Sequence, residues 1–448
     1  MSLSISFFVL YIAIVVLIGW FASKNETEEG FMIADRRVAG ISLAITMTAG
    51  FFDGATIAVY TAYVYQFGLS ALWLFVGFSC GFLVLKNFAP RIKRIADERG
   101  IYSLPEYFYK TIGSWSGVMF SVILVIALSL LLVVNLIVSG KVLSTIFPIS
   151  YPLAVGAGGV IILTYLFLAG LKAVIKTDVF QFFIMIVMSL SVALFLVGRS
   201  SFSASDFNPT ALGAGNLTGF FFLGALSAIV GPDLWQRIFA SKDERALRRG
   251  LTYGALLIPL LAAVIGIMGL ATKQFFPNIV PEDALVHGFA HLLPLGFMEL
   301  GMVLLYAVSL SSSDTMTFCI SSIITRDILN YSHRFKDSSM RFVTRVIMVT
   351  IIILAVFISI VSQDILTIGF ALGGIGISIA PAVLLSFSYR LNDRAVGASL
   401  FLAVMSVIPL FVLDILSPET ALIPLPIAFL FLLVFQGVAR CSQKHRCM

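Results

Sequence analysis

Three clusters of oxygen-bearing side chains stand inside runs that are otherwise apolar. The first is Gly50, Asp53 and Gly54, within the stretch 43–60. A carboxylate deep in an apolar run is costly unless something compensates its charge. The glycines beside it let the backbone leave the helix and turn carbonyls toward a cavity. Broken helices of this kind build ion and substrate sites at mid-membrane. The blander reading is a continuous helix whose polar residue bonds to a neighbouring helix. The second cluster is Ser309, Ser311, Ser312, Ser313, Asp314, Thr315 and Thr317, crowded into little more than two helical turns. Paired hydroxyls with a carboxylate make an oxygen-rich wall suited to a hard cation. Carbonyls from an unwound 51–54 segment would complete such a shell. Hydroxyls of this type also bond back to their own helix or glue helices together. The third is Asp178 with Gln181, three apart on one helical face, after Lys172 and Lys176. Asp178 either stabilises a helix N-terminus or lies near Asp314, between the site and the cytoplasm.

Two further stretches bend or break helices. Gly231-Pro232-Asp233-Leu234-Trp235-Gln236-Arg237 reads as a proline kink followed by interfacial anchors, Trp235 and Arg237. The glycines of 369–381 allow either close packing or a gating bend. His287 and His291 stand four apart, but no third ligand accompanies them, so solvent-facing histidines are expected rather than a metal site.

These residues are carried by a strongly apolar chain. Of 448 residues, 59% are hydrophobic and only 12% charged, with a mean hydropathy of +1.04. A soluble domain would hold about twice that share of charge. Apolar runs of helix-spanning length recur throughout, which implies a polytopic all-α membrane protein embedded in a lipid bilayer. Thirteen spans are expected, at about 3–23, 40–65, 69–88, 117–142, 151–171, 176–198, 217–239, 250–272, 298–328, 342–362, 365–389, 395–415 and 421–439. The first is expected to be retained rather than cleaved as a signal peptide. With the N-terminus outside and the C-terminus cytoplasmic, every Lys and Arg except Lys141, Arg199 and Lys273 falls on the inner side. The loop 273–297 should form a lid helix on the outer surface, and 86–110 short helices at the inner surface. The cysteines have no metal or disulfide spacing. The net charge of +6 is scattered over short loops, so no nucleic-acid partner is implied. No nucleophile–base pair or metal triad appears, so the chain is not expected to be an enzyme.

Several of these motifs, in this order and spacing, resemble the solute:sodium symporter family, which includes sodium/proline and sodium/glucose symporters. The match runs through Ala49-Gly-Phe-Phe-Asp53-Gly, Leu168 to Gln181, Gly231-Pro232 with Gln236-Arg237, Ser311-Ser-Ser-Asp-Thr, and Ile324-Thr-Arg-Asp327-Ile. The resemblance implies a leucine-transporter-like fold of two five-helix repeats of opposite orientation, about 40–198 and 217–389. An extra N-terminal span (3–23), two C-terminal spans (395–439) and a tail (440–448) would surround them. It also implies a main Na⁺ site made by the carbonyls of Phe51, Gly54 and Val308 and the hydroxyls of Ser311 and Ser312, supported by Asp53. Asp178, Asp314 and Thr315 would belong to a second ion site, with Na⁺ or H⁺ left open. Span seven lacks the family's pocket aromatics, with small Gly224 and Ala228 instead, so no individual solute transfers.

The resulting expectation is a sodium-coupled secondary active symporter importing a small polar organic solute, such as an amino acid, sugar or carboxylate. Its solute pocket would lie between spans two, four, seven and eleven, with Thr56, Asn135 and Phe370 as solute contacts. The expected location is the bacterial inner membrane. The alternatives are a proton-coupled carrier of the same fold and a solute sensor with little flux. Oligomeric state is left open.

Overall fold

The computed structural model describes residues 2–23, 36–38, 40–166, 171–329 and 337–446. The regular structure of the described residues is helical, apart from one isolated bridge, Val38 to Ser241. In chain order the helices are α1 (Ser2–Ser23), α2 (Gly40–Ala49), α3 (Gly54–Phe67), α4 (Trp73–Arg99), α5 (Leu104–Thr111), α6 (Ser114–Ile146) and α7 (Tyr151–Leu166). Next come α8 (Leu171–Val197), α9 (Gly213–Val230), α10 (Pro232–Ala240), α11 (Glu244–Phe275), α12 (Ala284–His291) and α13 (Phe297–Ser322), which runs into a π-helical turn at Ile323–Leu329. The last are α14 (Asp337–Val361), α15 (Ile365–Ile377), α16 (Ala380–Ser386), α17 (Asp393–Met405), α18 (Val407–Val412) and α19 (Pro424–Arg446).

Among the described residues, nine helical stretches are long and apolar enough to cross a membrane, where thirteen were expected. Two of the expected spans run together, and those at 3–23, 151–171 and 176–198 fall on helices that lie only partly among the described residues. Expected span two is split into α2 and α3. The second piece continues through the 3-10 turn Gly68–Leu72 into α4, as one stretch, Gly54–Arg99. Gly68, at φ 71, turns that corner in a conformation glycine adopts without penalty. Gly40–Ala49 remains as a shorter apolar helix.

Local chemistry accounts for several ends. Ser103 caps α5 by accepting from Glu106 N, and Glu106 Oε2 accepts from Tyr102 N at 2.8 Å. Helix α4 runs on to Arg99, where Gly100 ends it in a left-handed cap, so of the short helices expected over 86–110 only α5 stands apart. The expected lid is α12, entered through the turn Pro281–Asp283.

The small residues of span seven have a packing reason. A Cβ on Gly224 of α9 would collide with the Leu74 carbonyl and stand 2.9 Å from Phe78 N. Gly77 and Gly81 of α4 face Phe221 and Ala225 in the same way. Two backbones thus touch along a stripe with no room for side chains. Gly224→Ala is expected to destabilise the protein by roughly 1–3 kcal/mol through forced overpacking, read as a lower unfolding temperature in detergent.

Candidate functional site

The break between α2 and α3 is made by side chains taking over backbone bonds. Residues 50–52 tighten, with Phe51 N donating to Thr48 O and Phe52 N to Ala49 O, both at 3.0 Å. Asp53 is then extended, at φ −73 and ψ 160, and caps α3. In an uninterrupted helix the amides of Ala55 and Thr56 would pair with the carbonyls of Phe51 and Phe52. Here Ala55 N donates to Asn135 Oδ1 at 3.2 Å and Thr56 N to Asp53 Oδ1 at 2.9 Å. The Phe51 and Phe52 carbonyls are thereby released from the ladder, as a cation site requires. Asp53, only 3% exposed, also accepts from Thr56 Oγ1 at 2.6 Å and Asn135 Nδ2 at 3.3 Å.

The hydroxyl-rich helix α13 lies against this break. A Cβ on Gly54 would collide with Ser309 Oγ, so only glycine lets α3 start so close to α13. Val308, Ser311 and Ser312 line a small cavity together with Ala49, Phe52, and Phe182 and Met185 of α8. Three of the five residues expected at the main ion site therefore share one cavity. The other two are placed differently. Phe51 lines a larger cavity, and Gly54 is the first residue of α3, facing Ser309. Phe52 is the broken-helix residue beside the hydroxyl pair.

Much of the remaining hydroxyl chemistry of α13 is internal. Ser309, Ser312, Ser313, Thr315 and Thr317 each donate to the carbonyl four residues earlier. Thr315 Oγ1 also lies 3.1 Å from Asp314 Oδ1, and Asp314 is buried. Asp178 and Gln181 sit on α8, but their side chains fall outside the described residues, so the expected second ion site is described only on its α13 side.

The larger cavity has a volume of ≈ 180 Å³ and is bounded by the four expected spans, with α4 and α13 adding Leu74, Phe78 and Met316. Thr56 and Val59 come from α3, Leu128 and Leu131 from α6, Phe220 and Ser227 from α9, and Phe370 and Gly373 from α15. Thr56 and Phe370 are thus at the wall. Asn135 is not. It is fully buried behind Asp53 and braces the break, which its apolar neighbours in sequence did not reveal.

The Gly231 motif also departs from expectation. Trp235 and Arg237 are 0% and 1% exposed, so they are not interfacial anchors. Pro232 starts α10 after an extended Gly231, which makes a second broken helix. Trp235 Nε1 donates to Ile229 O at 2.8 Å, closing the bend. Arg237 Nε donates to Thr46 Oγ1 at 2.9 Å, and its guanidinium stands 3.6 Å from Asp233 Oδ2. Asp233 packs on Gly50, where a Cβ would come within 2.7 Å of Oδ2. The amphipathic charge i, i+4 pattern Asp233–Arg237 was the available signal. In so apolar a run it marks a buried pair.

The lid is tied at two points. Asp283 pairs with Lys141 of α6 at 2.6 Å. Glu282 accepts from Ile365 N and Leu366 N, both at 3.4 Å, at the N-terminus of α15. Burial, with the nearby Asp364 carboxylate, raises Glu282 above the ordinary carboxylate pKa, against those amides and Lys141. His291 is exposed as expected and His287 is partly exposed; burial and His291 lower the His287 pKa while Asp283 opposes them. No group of three or more metal-binding side chains occurs among the described residues.

Comparison with known proteins agrees with this architecture. Residues 31–208 match the family model "Sodium:solute symporter family". An osmoregulated proline transporter of Bacillus subtilis is 24% identical over 432 residues, covering 89% of this chain and 87% of its own. A sodium/proline symporter of Staphylococcus aureus is 24% identical over 425 residues, covering 87% and 82%. The solved structure of a Na⁺-coupled sialic acid symporter in a substrate-bound outward-open state superposes with a TM-score of 0.82 at 16% identity, covering 97% of each chain. The fold is therefore the leucine-transporter-like one, and the protein is a multi-pass membrane protein. Family match, relatives and fold point the same way: the chain is similar to the sodium:solute symporter family, whose model it matches over residues 31–208.

Proposed function

We propose that the protein is a sodium-coupled secondary active symporter that imports a small organic solute by alternating access. One observation carries this reading. Side-chain capping at Asp53 and Asn135 frees two carbonyls of the broken helix, and the hydroxyl pair Ser311–Ser312 lies beside one of them. The solute occupies the ≈ 180 Å³ cavity on the other face of the same break. An ion bound on one side of the segment 50–53 and a solute on the other share one structural element, so each biases the arrangement the other requires.

In detail, Na⁺ takes the carbonyls of Phe51 or Phe52, Gly54 and Val308 and the hydroxyls of Ser311 and Ser312, with Asp53 behind them. Asp314 and Thr315, with Asp178, serve a second cation. The two repeats are 40–198 and 217–389, each opened by a broken helix, α2–α3 and α9–α10. The N-terminus faces outside and the tail the cytoplasm of a bacterial inner membrane, which places the lid over the outer mouth. The membrane potential then adds roughly 2.3 kcal/mol per charge per 100 mV to inward movement. Relatives are named for proline and for sialic acid, both small organic solutes.

The test is uptake into proteoliposomes with an inward Na⁺ gradient, an equal choline gradient, and a proton gradient alone. Accumulation is expected only with Na⁺. Accumulation indifferent to Na⁺ would overturn the proposal, and accumulation driven by protons alone would assign the coupling to H⁺.

A further inference from the structure

The wall of the central cavity is uneven in charge. Its titratable residues are Asp53 and Asp233, and no Lys, Arg or His stands among the described residues that line it. Asp53 is already engaged by Thr56 N, Thr56 Oγ1 and Asn135 Nδ2. Asp233 is engaged from one side: it forms an ion pair with Arg237, whose guanidinium stands 3.6 Å from its Oδ2, donates to the Asp233 carbonyl at 3.2 Å and is held from behind by Thr46, and it accepts from the Leu234 amide. The Asp233 side chain keeps 13% of its surface exposed, while that of Arg237 keeps 2%. The acid is therefore the member of the pair that meets the cavity.

Apart from the hydroxyls of Thr56 and Ser227 and the backbone of its glycines, the rest of the wall is aliphatic and aromatic. Phe51 and Phe78 stand 4.7 Å apart, and Phe220 and Phe370 6.1 Å apart. A simple anion entering here would face two carboxylates with few donors to receive it, since the Thr56 hydroxyl already donates to Asp53. A polyol would lose hydrogen bonds to water that this wall does not replace. An ammonium loses least, because Asp233 offsets its charge, phenyl faces attract its N–H or N–CH groups, and the leucines cover its carbon body.

We propose that the transported solute carries a protonated amine on a compact apolar body, and that Asp233 is the side chain that selects it. This rests on the solute occupying the central cavity, as put forward above. A zwitterion is accepted through its amine, and its carboxylate is dispensable.

The experiment uses the full-length protein in nanodiscs and four six-membered rings of similar size: piperidine, pipecolate, cyclohexanol and cyclohexanecarboxylate. Each is titrated in Na⁺ and in K⁺, with calorimetry and thermal shift as readouts. Piperidine and pipecolate are expected to bind in Na⁺ at least about tenfold tighter than the other two. Asp233→Asn should erase that preference while the Na⁺-induced thermal shift persists. Asp233→Glu should keep the ranking, which covers the case in which the Asn variant leaves Arg237 unpaired and fails to fold. Equal or tighter binding by cyclohexanecarboxylate or cyclohexanol, or binding by none of the four, overturns the inference. A Na⁺-specific shift persisting alongside either result leaves sodium coupling standing, so the two proposals fail separately.

Discussion

Asp53→Asn is expected to reduce Na⁺-driven uptake by about a hundredfold while leaving the protein foldable. The carboxylate accepts one backbone amide, one hydroxyl and one side-chain amide. An Asn can offer only one acceptor oxygen, so its NH₂ group must face one of these donors. Leaving a buried donor without a partner costs about 1–3 kcal/mol, and each 1.36 kcal/mol lost from a productive state is a tenfold loss of rate. The substitution also removes the negative charge closest to the freed carbonyls, so a bound cation loses its nearest compensation. Both effects fall on the same step. The check is initial uptake rate against Na⁺ concentration in proteoliposomes, with expression and unfolding temperature measured in parallel. Wild-type rate and Na⁺ dependence in this variant would reduce Asp53 to a structural helix cap.

The second large effect is expected from Ser311→Ala combined with Ser312→Ala. Both residues line the small cavity beside Phe52 and Val308. Removing two hydroxyl ligands from a hard-cation shell should raise the Na⁺ concentration for half-maximal uptake by about tenfold or more, about 1.4 kcal/mol. Solute affinity at saturating Na⁺ should change little, because neither serine lines the central cavity. Ser313→Ala is the control. Its hydroxyl is fully buried and donates to Ser309 O at 2.7 Å, so its loss should leave Na⁺ dependence unchanged. Unaltered Na⁺ dependence in the double variant would move the ion elsewhere.

How much of this was legible beforehand differs by residue. Asp53 with its flanking glycines was conspicuous, because charge and glycine in an apolar run have few uses, and the helix does break there. The four spans around the central cavity were also readable, since helical runs carry their order in sequence. Two residues were misplaced for one reason: hydrogen-bond partners from distant helices cannot be inferred from local spacing. Asn135 lies 80 residues from Ala55, whose amide it accepts. Arg237 resembled a membrane-surface anchor until Thr46, 191 residues away, took its Nε–H. The small residues Gly224 and Ala228 looked like a pocket missing its aromatics. In the fold, Gly224 gives its space to the α4 backbone, and rings come from Phe51, Phe78 and Phe370 and, contrary to expectation, from Phe220 of span seven itself.

The bond from Arg237 to Thr46 and the seat of Asp233 on Gly50 join the two discontinuous helices, α2–α3 and α9–α10. Chimeras that import residues 231–240 from a relative without also importing 43–50 would strand a guanidinium in a dry interior. Specificity transplants should therefore exchange both segments as a matched pair, and directed evolution of this scaffold should recover compensating changes at position 46 or 50 whenever position 233 or 237 is altered.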